Sequence, residues 1–268
     1  AISDCIRPYH ERQRNRRVIV YEYPLHERIR TYLRLERLFD RFRELSERES
    51  ALDHHLALTT LFELLDVATR SDLKSDTLRD LDRQKQQLNA YRGNPAVAES
   101  MLEQTVQSVE NCYADLQRLN GKLGQALSEN DWLTAIRSRL SIPGGTCEFD
   151  LPDYFAWQHF PPLERQQNLQ EWIAQLLPLA ESVKLLLSLM RGTGYSQRVT
   201  AIKGIFQQNL PQGKPFQFLR VRLHADAHLF PEISANRLVL SVRIMAHNGT
   251  AEPLASPEDT DFQLTLCA

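Results

Sequence analysis

The sequence predicts an α+β fold: a mostly helical N-terminal bundle followed by an antiparallel β-sheet formed mainly by the C-terminal part. Apolar residues recur at three- and four-residue steps through most of the chain up to Met190. After Gly192 and Gly194 the period changes to two. One short β-branched and aromatic run, VIVYEY at residues 18–23, precedes the helices. Periods of 3.6 and 2 put the apolar residues of helices and strands on one face. Segregation of the two along the chain is the α+β pattern. It divides the chain into a mainly helical domain with an initial strand, residues 18–192, and a β-rich domain packed on the helices, residues 193–268.

Residues 1–17 (AISDCIRPYHERQRNRR) have no periodicity. They read as a disordered N-terminal extension, outside the fold. Residues 18–23 form a strand that Pro24 ends. Residues 25–46 form a long helix, with Leu25, Ile29, Tyr32, Leu35, Phe39 and Phe42 in one apolar stripe. On the opposite side Arg30, Arg34, Arg37 and Arg41 fall within roughly 60° of one another. Spacing alone leaves this stripe open between a partner-binding face and a solvated one. A second helix covers 53–68, with Leu56, Leu61, Leu64, Leu65 and Val67 as its core. A third covers 75–91 and a fourth 96–123, loosened by Gly121 and Gly124.

A short helix over 130–140 leads into the densest local signal, IRSRLSIPGGTCEFDLPDYFAW at 136–157. Pro143-Gly144-Gly145 breaks the chain there. Asp150 is the expected N-cap of the next helix, with Asp153 adding negative charge to its first turn. A long apolar helix over 163–190 should be kinked or split by Pro178. In the β-rich part, residues 216–224 alternate Leu219, Val221 and Leu223 against Arg220, Arg222 and His224. Residues 237–245 alternate Leu238, Leu240, Val242 and Ile244 against Arg237, Ser241 and Arg243. Residues 197–206 form another strand, and Phe262, Leu264 and Leu266 mark the last. A sheet with one apolar face needs a cover. The helices are expected to supply it, and the first strand to join this sheet.

At 268 residues, 42% hydrophobic and 25% charged, the chain has an ordinary globular composition. It has no run of ~18 apolar residues that would span a membrane. Cys5, Cys112, Cys147 and Cys267 are far apart in sequence, which disfavours zinc and disulfide frameworks and suits a reducing cytoplasm. A net charge of −2 argues against generic nucleic-acid binding. The charge is unevenly spread, however. Arg198, Lys203, Lys214, Arg220, Arg222, Arg237 and Arg243 face only Asp226 and Glu232 within residues 194–246. That local basic surface points to an acidic partner.

Catalytic signatures are missing from the sequence: no HExxH, GxSxG, phosphate-binding glycine loop with its lysine, or GxGxxG. The Pro143-Gly144-Gly145 break reads as a turn. His54 and His55 are adjacent on a helix, so their side chains diverge by about 100° and cannot share one ion. Cys147 beside Glu148 is in the wrong electrostatic setting for a thiolate. The reading is therefore a non-enzyme with no cofactor and no metal. Arginine remains the informative residue type, because its planar fork binds a carboxylate through two bonds and stays charged. A solubility face normally mixes signs; the β-rich part does not, which favours partner binding there. The rival from composition is a nucleic-acid-binding α+β module using the same arginines on phosphates.

Several separated blocks resemble one family. They are PLHERIRTYLRLERLF (24–39), LLDVATRSDLKSDTLRDLDRQ (64–84), the 136–157 block, LRVRL (219–223) and FPEISANR (230–237). In that order they resemble the ZapD family, Z-ring-associated proteins of bacterial cell division. The resemblance implies a cytoplasmic, dimeric, non-enzymatic division factor recruited to mid-cell. It implies binding to the acidic C-terminal tail of FtsZ, a tubulin-like GTPase, and bundling of FtsZ filaments. Carried over by position, it implies a partner-binding set of Arg30, Arg34, Arg70, Arg220, Arg237 and Arg243, with Arg137 and Arg222 as further members. Two positions depart from the family pattern: Asp131 stands where relatives carry a basic residue, and Phe155 where they carry histidine.

Overall fold

The computed structural model describes residues 18–70, 72–211, 213, 216–225, 228–236, 238–246, 254–255 and 258–268. The expectation for residues 1–17 lies outside them. The fold is α+β. The chain divides into two compact units, one made of the chain up to Leu33 with Leu187–Ala268, the other of Arg34–Leu186.

The second unit is helical. Helix α1 (Glu27–Ser46) enters it at Arg34, its buried stripe being Ile29, Tyr32, Leu35 and Phe42. Helix α2 (Ala51–Ala68) starts two residues earlier than expected, because the Ser50 hydroxyl accepts the Leu52 N–H at 3.2 Å and caps it. Leu58, Leu61, Leu64 and Leu65 of α2 are buried. Leu56, expected in the core, is exposed on the outer side. Helices α3 (Leu73–Asn89) and α4 (Glu99–Arg118) run antiparallel: Lys74 reaches the Leu119 carbonyl at one end and Lys85 pairs with Glu110 at 2.7 Å further along. Helix α4 stops short of residue 123. The one-turn α5 (Gln125–Ser128) follows a left-handed Gly124, φ +69°. Asn130 Oδ1 accepts the Leu133 N–H at 3.0 Å and caps α6 (Asp131–Leu140).

The predicted break forms a run of turns. A Cβ on Gly145 would come within 2.5 Å of the Arg139 carbonyl oxygen, so only glycine fits this return. Helix α7 (Pro152–Gln158) is not capped by Asp150: Leu151 takes the N-cap position and Pro152 begins the helix, where a missing N–H costs nothing. Asp150 instead sits 3.7 Å from Arg139. The long apolar segment is split as expected, into α8 (Pro162–Ala174) and α9 (Leu177–Gly192), bent by 69°. Pro178 falls in the first turn of α9, which tolerates it. Among the described residues no single helix is long and apolar enough to cross a membrane. Tyr154 and Trp157 of α7 meet Trp132 of α6 and Trp172 of α8, with Trp132–Trp172 centroids 5.3 Å apart and Tyr154–Trp157 stacked at 5.8 Å. Such pairs contribute about 0.5–1.5 kcal/mol each beyond burial.

The other unit carries the strands in two antiparallel sheets. The first has the order β1-β4-β8-β2 and the second β3-β6-β5. Their ranges are β1 Val18–Pro24, β2 Tyr195–Ala201, β3 Ile205–Asn209, β4 Phe218–His224, β5 Leu229–Ala235, β6 Val239–Ala246, β7 Leu254–Ala255 and β8 Thr260–Cys267. As expected, β1 joins the C-terminal strands, Tyr21 opposite Val221 in register. The expected single strand over 197–206 is two, because Lys203 (φ 48°) and Gly204 (φ 73°) form a two-residue hairpin turn of the kind that matches strand twist. Strand β5 contains Pro231 and lies at an edge, where proline is tolerated.

The helices do not supply the expected cover for the apolar face. Leu219, Val221, Leu223, Phe262, Leu264 and Leu266 of the first sheet share one buried cluster with Leu240, Val242 and Ile244 of the second. The sheets cover each other as a sandwich. Tyr21 joins them, donating to the Leu229 carbonyl at 3.4 Å. On the reverse of the first sheet Arg191 of α9 bonds Glu22 of β1, and just past the helix a Cβ on Gly194 would meet Thr265 Cγ2 at 2.6 Å.

Candidate partner-binding surface

The eight arginines singled out by sequence fall in both units. In the helical unit Arg34 is exposed on α1 and makes no ion pair among the described residues. Arg70, two residues past α2, is likewise exposed and unpaired among the described residues. Arg137 on α6 is bonded to Asp66 of α2. Asp66 lies four residues before Arg70, so Arg137 and Arg70 are brought to the same end of α2. The α1 stripe is divided in its use. Arg41 packs onto α2, with Nη2 2.6 Å from Glu63 and Nε donating to Thr60 at 2.9 Å. Arg34 projects to solvent.

In the sandwich unit Arg30 pairs along its own helix with Glu27 at 3.1 Å. Arg220 behaves differently from the others. It is 9% exposed, and its Nε lies 3.0 Å from Glu22 Oε1, an ion contact rather than an aligned hydrogen bond. The same carboxylate receives Arg191, so one buried acid is shared by two guanidinium groups. Arg222 is half-buried and donates to Gln263 Oε1 at 3.2 Å. Arg243 is exposed on β6, 3.7 Å from Glu232 of β5 in the same register row. Arg220 and Arg222 alternate with the core residues of the first sheet and Arg243 with those of the second. They therefore occupy the two outward faces of the sandwich. Arg237 lies outside the described residues.

Strand pairing adds Arg198, which sequence reasoning counted as charge but did not single out. Arg222 pairs with Gln263 and Gln263 with Arg198, so two arginines flank one glutamine in a single row on the outward face. Arg198 is exposed and makes no ion pair among the described residues. Finding it needed the register of β8, which no local pattern contains.

The two departures have structural uses of their own. Asp131 is the first residue of α6, where a negative charge favours the positive end of the helix dipole. Phe155 is exposed on α7 and its ring lies 4.6 Å from that of His159. The two histidines weighed for metal binding have structural partners: His54 meets Arg48 and Arg165, and His55 meets the Tyr154 hydroxyl at 2.6 Å. Burial pushes the Cys267 thiol, behind Arg220, up to about 11.

Exposed arginines of this kind can hold carboxylates through charge-assisted, two-pronged bonds. A family model described as ZapD, cell division protein, matches residues 33–243. The match covers well over half of the chain. It includes Arg34, Arg70, Arg137, Arg220, Arg222, Arg237 and Arg243, and begins three residues after Arg30.

Proposed function

The chain is a member of the ZapD family of cell division proteins, and on that footing we propose that it binds the acidic C-terminal tail of FtsZ and cross-links FtsZ filaments at mid-cell. The observation that carries this reading is the pair Arg34 and Arg70, exposed within the matched segment with no ion pair among the described residues. An exposed guanidinium with no internal carboxylate is available to an external one.

Capture is electrostatic. Each exposed charge pair contributes only about 0–1 kcal/mol, so several arginines act together on one tail. On the sandwich unit Arg198 and Arg243, the latter 3.7 Å from Glu232, lie on opposite outward faces, so each offers a separate contact to an acidic segment. Arg220 serves the interior, because its charge is committed to Glu22. The protein acts in the cytoplasm as a homodimer, without catalysis or cofactor. Two sites on one particle bridge two filaments, and the repetition of tails along each filament sums weak contacts through avidity. Co-sedimentation with intact FtsZ and with FtsZ lacking its tail tests this. Pelleting with the intact protein alone is the expected result. Equal pelleting with both, or capture by a polyanionic nucleic acid in preference to the tail, overturns it.

A further inference from the structure

Arg165 on α8 is 4% exposed and makes no ion pair among the described residues. Its guanidinium is held by neutral acceptors. Nε donates to His54 Nδ1 at 2.9 Å, Nη1 to the carbonyls of Gln158 (3.1 Å) and Phe160, and Nη2 to the Glu49 carbonyl at 2.6 Å. One side chain thus ties α8 to the end of α7, to the segment before α2, and to α2 itself.

The His54 end fixes a protonation state by geometry. The ring is fully buried, and Nε2 lies 2.6 Å from the Arg48 carbonyl oxygen. A carbonyl only accepts, so Nε2 carries the hydrogen. Nδ1 accepts from Arg165 and must be bare. The imidazole is neutral. A second proton would set one donor against another and place two positive charges in contact away from water.

We propose that His54 and Arg165 form an acid-released latch, closed while His54 is neutral and opened when His54 takes a second proton. The surrounding groups define the balance. Burial holds the His54 imidazole below its ordinary range; the Arg48 carbonyl opposes this, Arg165 adds to it, and Asp53 on α2 opposes it. Asp53 is itself 3.4 Å from Arg48 Nη1, which occupies part of its charge. The group packed from α7 is the uncharged Trp157 ring, 6.5 Å away.

The direction of the pH effect follows. An unfolded histidine titrates near 6.5, and folded His54 titrates lower. Between those values the unfolded chain binds more protons, so stability rises with pH there. The latch's contribution is complete above the unfolded value and is lost as pH falls through 6.5 toward the lower folded one. Burial also depresses His55, which bonds the Tyr154 hydroxyl, so the two histidines must be separated.

Histidine ring NMR and urea unfolding of the full chain, between pH 7.5 and 5, do this. The ring signal lost in His54→Gln is expected to stay neutral well below pH 6.5 in the wild type. In Arg165→Gln it should move up toward 6.5, with the His55 signal unmoved. His54→Gln should also remove one proton's worth of pH dependence, up to about tenfold in the unfolding constant per pH unit, while His55→Gln retains it. With the ring also assigned in the wild type by triple-resonance connectivity to its backbone, a His54 titration at or above 6.5 overturns the latch even if neither variant folds. So does an unchanged titration in a folded Arg165→Gln.

Discussion

Arg191 grips Glu22 through two hydrogen bonds, Nε to Oε1 at 2.8 Å and Nη2 to Oε2 at 2.6 Å, joining the end of α9 to β1. Arg220 approaches the same carboxylate at 3.0 Å. Both arginines are almost wholly buried, so removing the acid leaves two uncompensated charges. Breaking a buried pair by deleting one partner costs about 3–5 kcal/mol. Glu22→Ala should therefore lower the midpoint of urea unfolding strongly, and Glu22→Gln nearly as much. A loss under about 1 kcal/mol, within the range of exposed pairs, would mean that water reaches the cluster.

Arg34→Glu and Arg243→Glu should each weaken binding of a labelled FtsZ tail peptide by roughly fivefold, about 1 kcal/mol, without unfolding the protein. Both side chains are exposed and outside the core. Binding should also fall as salt rises, since exposed charges are screened over about 8–10 Å near physiological ionic strength. Anisotropy titrations at low and high salt check this. Equal affinity in every case would remove the arginines from the interface.

Leu264→Ala probes the sandwich directly. Leu264 is fully buried and lies in register with Val221 and Gln197. Truncation of a buried leucine costs about 2–5 kcal/mol. Circular dichroism should show strand signal melting well below the wild-type temperature. A change of only a few tenths of a kcal/mol would contradict a shared core between the sheets.

Bundling and tail binding should separate. Gathering filaments needs two sites on one particle, and two-fold symmetry is the simplest way to double a site. A folded monomeric variant should bind the isolated tail as the wild type does and decorate single filaments without gathering them. Light scattering and electron microscopy, with a sizing measurement on the same sample, read this out. A monomer that bundles as well as the wild type requires a second filament contact on each chain.

The helices were legible where apolar spacing was strong. The α1 stripe of Ile29, Tyr32, Leu35 and Phe42, and the split near Pro178, follow from local pattern. Ends were less legible: Asp150 has the chemistry of a cap, yet Pro152 fixes the start of α7 one residue beyond Leu151. The hairpin at Lys203-Gly204 lacks the Asn-Gly or Asp-Gly signal, so two strands read as one. Proline hid β5. The candidate surface was legible as residue type and not as availability. Nothing local distinguishes Arg220, opposite Glu22, from Arg34, which projects to solvent; the pairing of β1 with β4 decides it.

That pairing also sets an order of events during synthesis. Residues of β1 are made well before β4, yet Val18 pairs with His224 and Tyr23 with Leu219. The helical unit, Arg34–Leu186, is continuous in sequence and interrupts the unit to which β1 belongs. On the ribosome the helices can therefore collapse first, through local contacts that form fast, while β1 waits for a partner made some two hundred residues later. VIVYEY is meanwhile an unpaired, β-branched edge, the kind of segment that templates wrong pairings. A nascent chain arrested before β4 should expose that strand to chaperones and to protease, and one released after β8 should not.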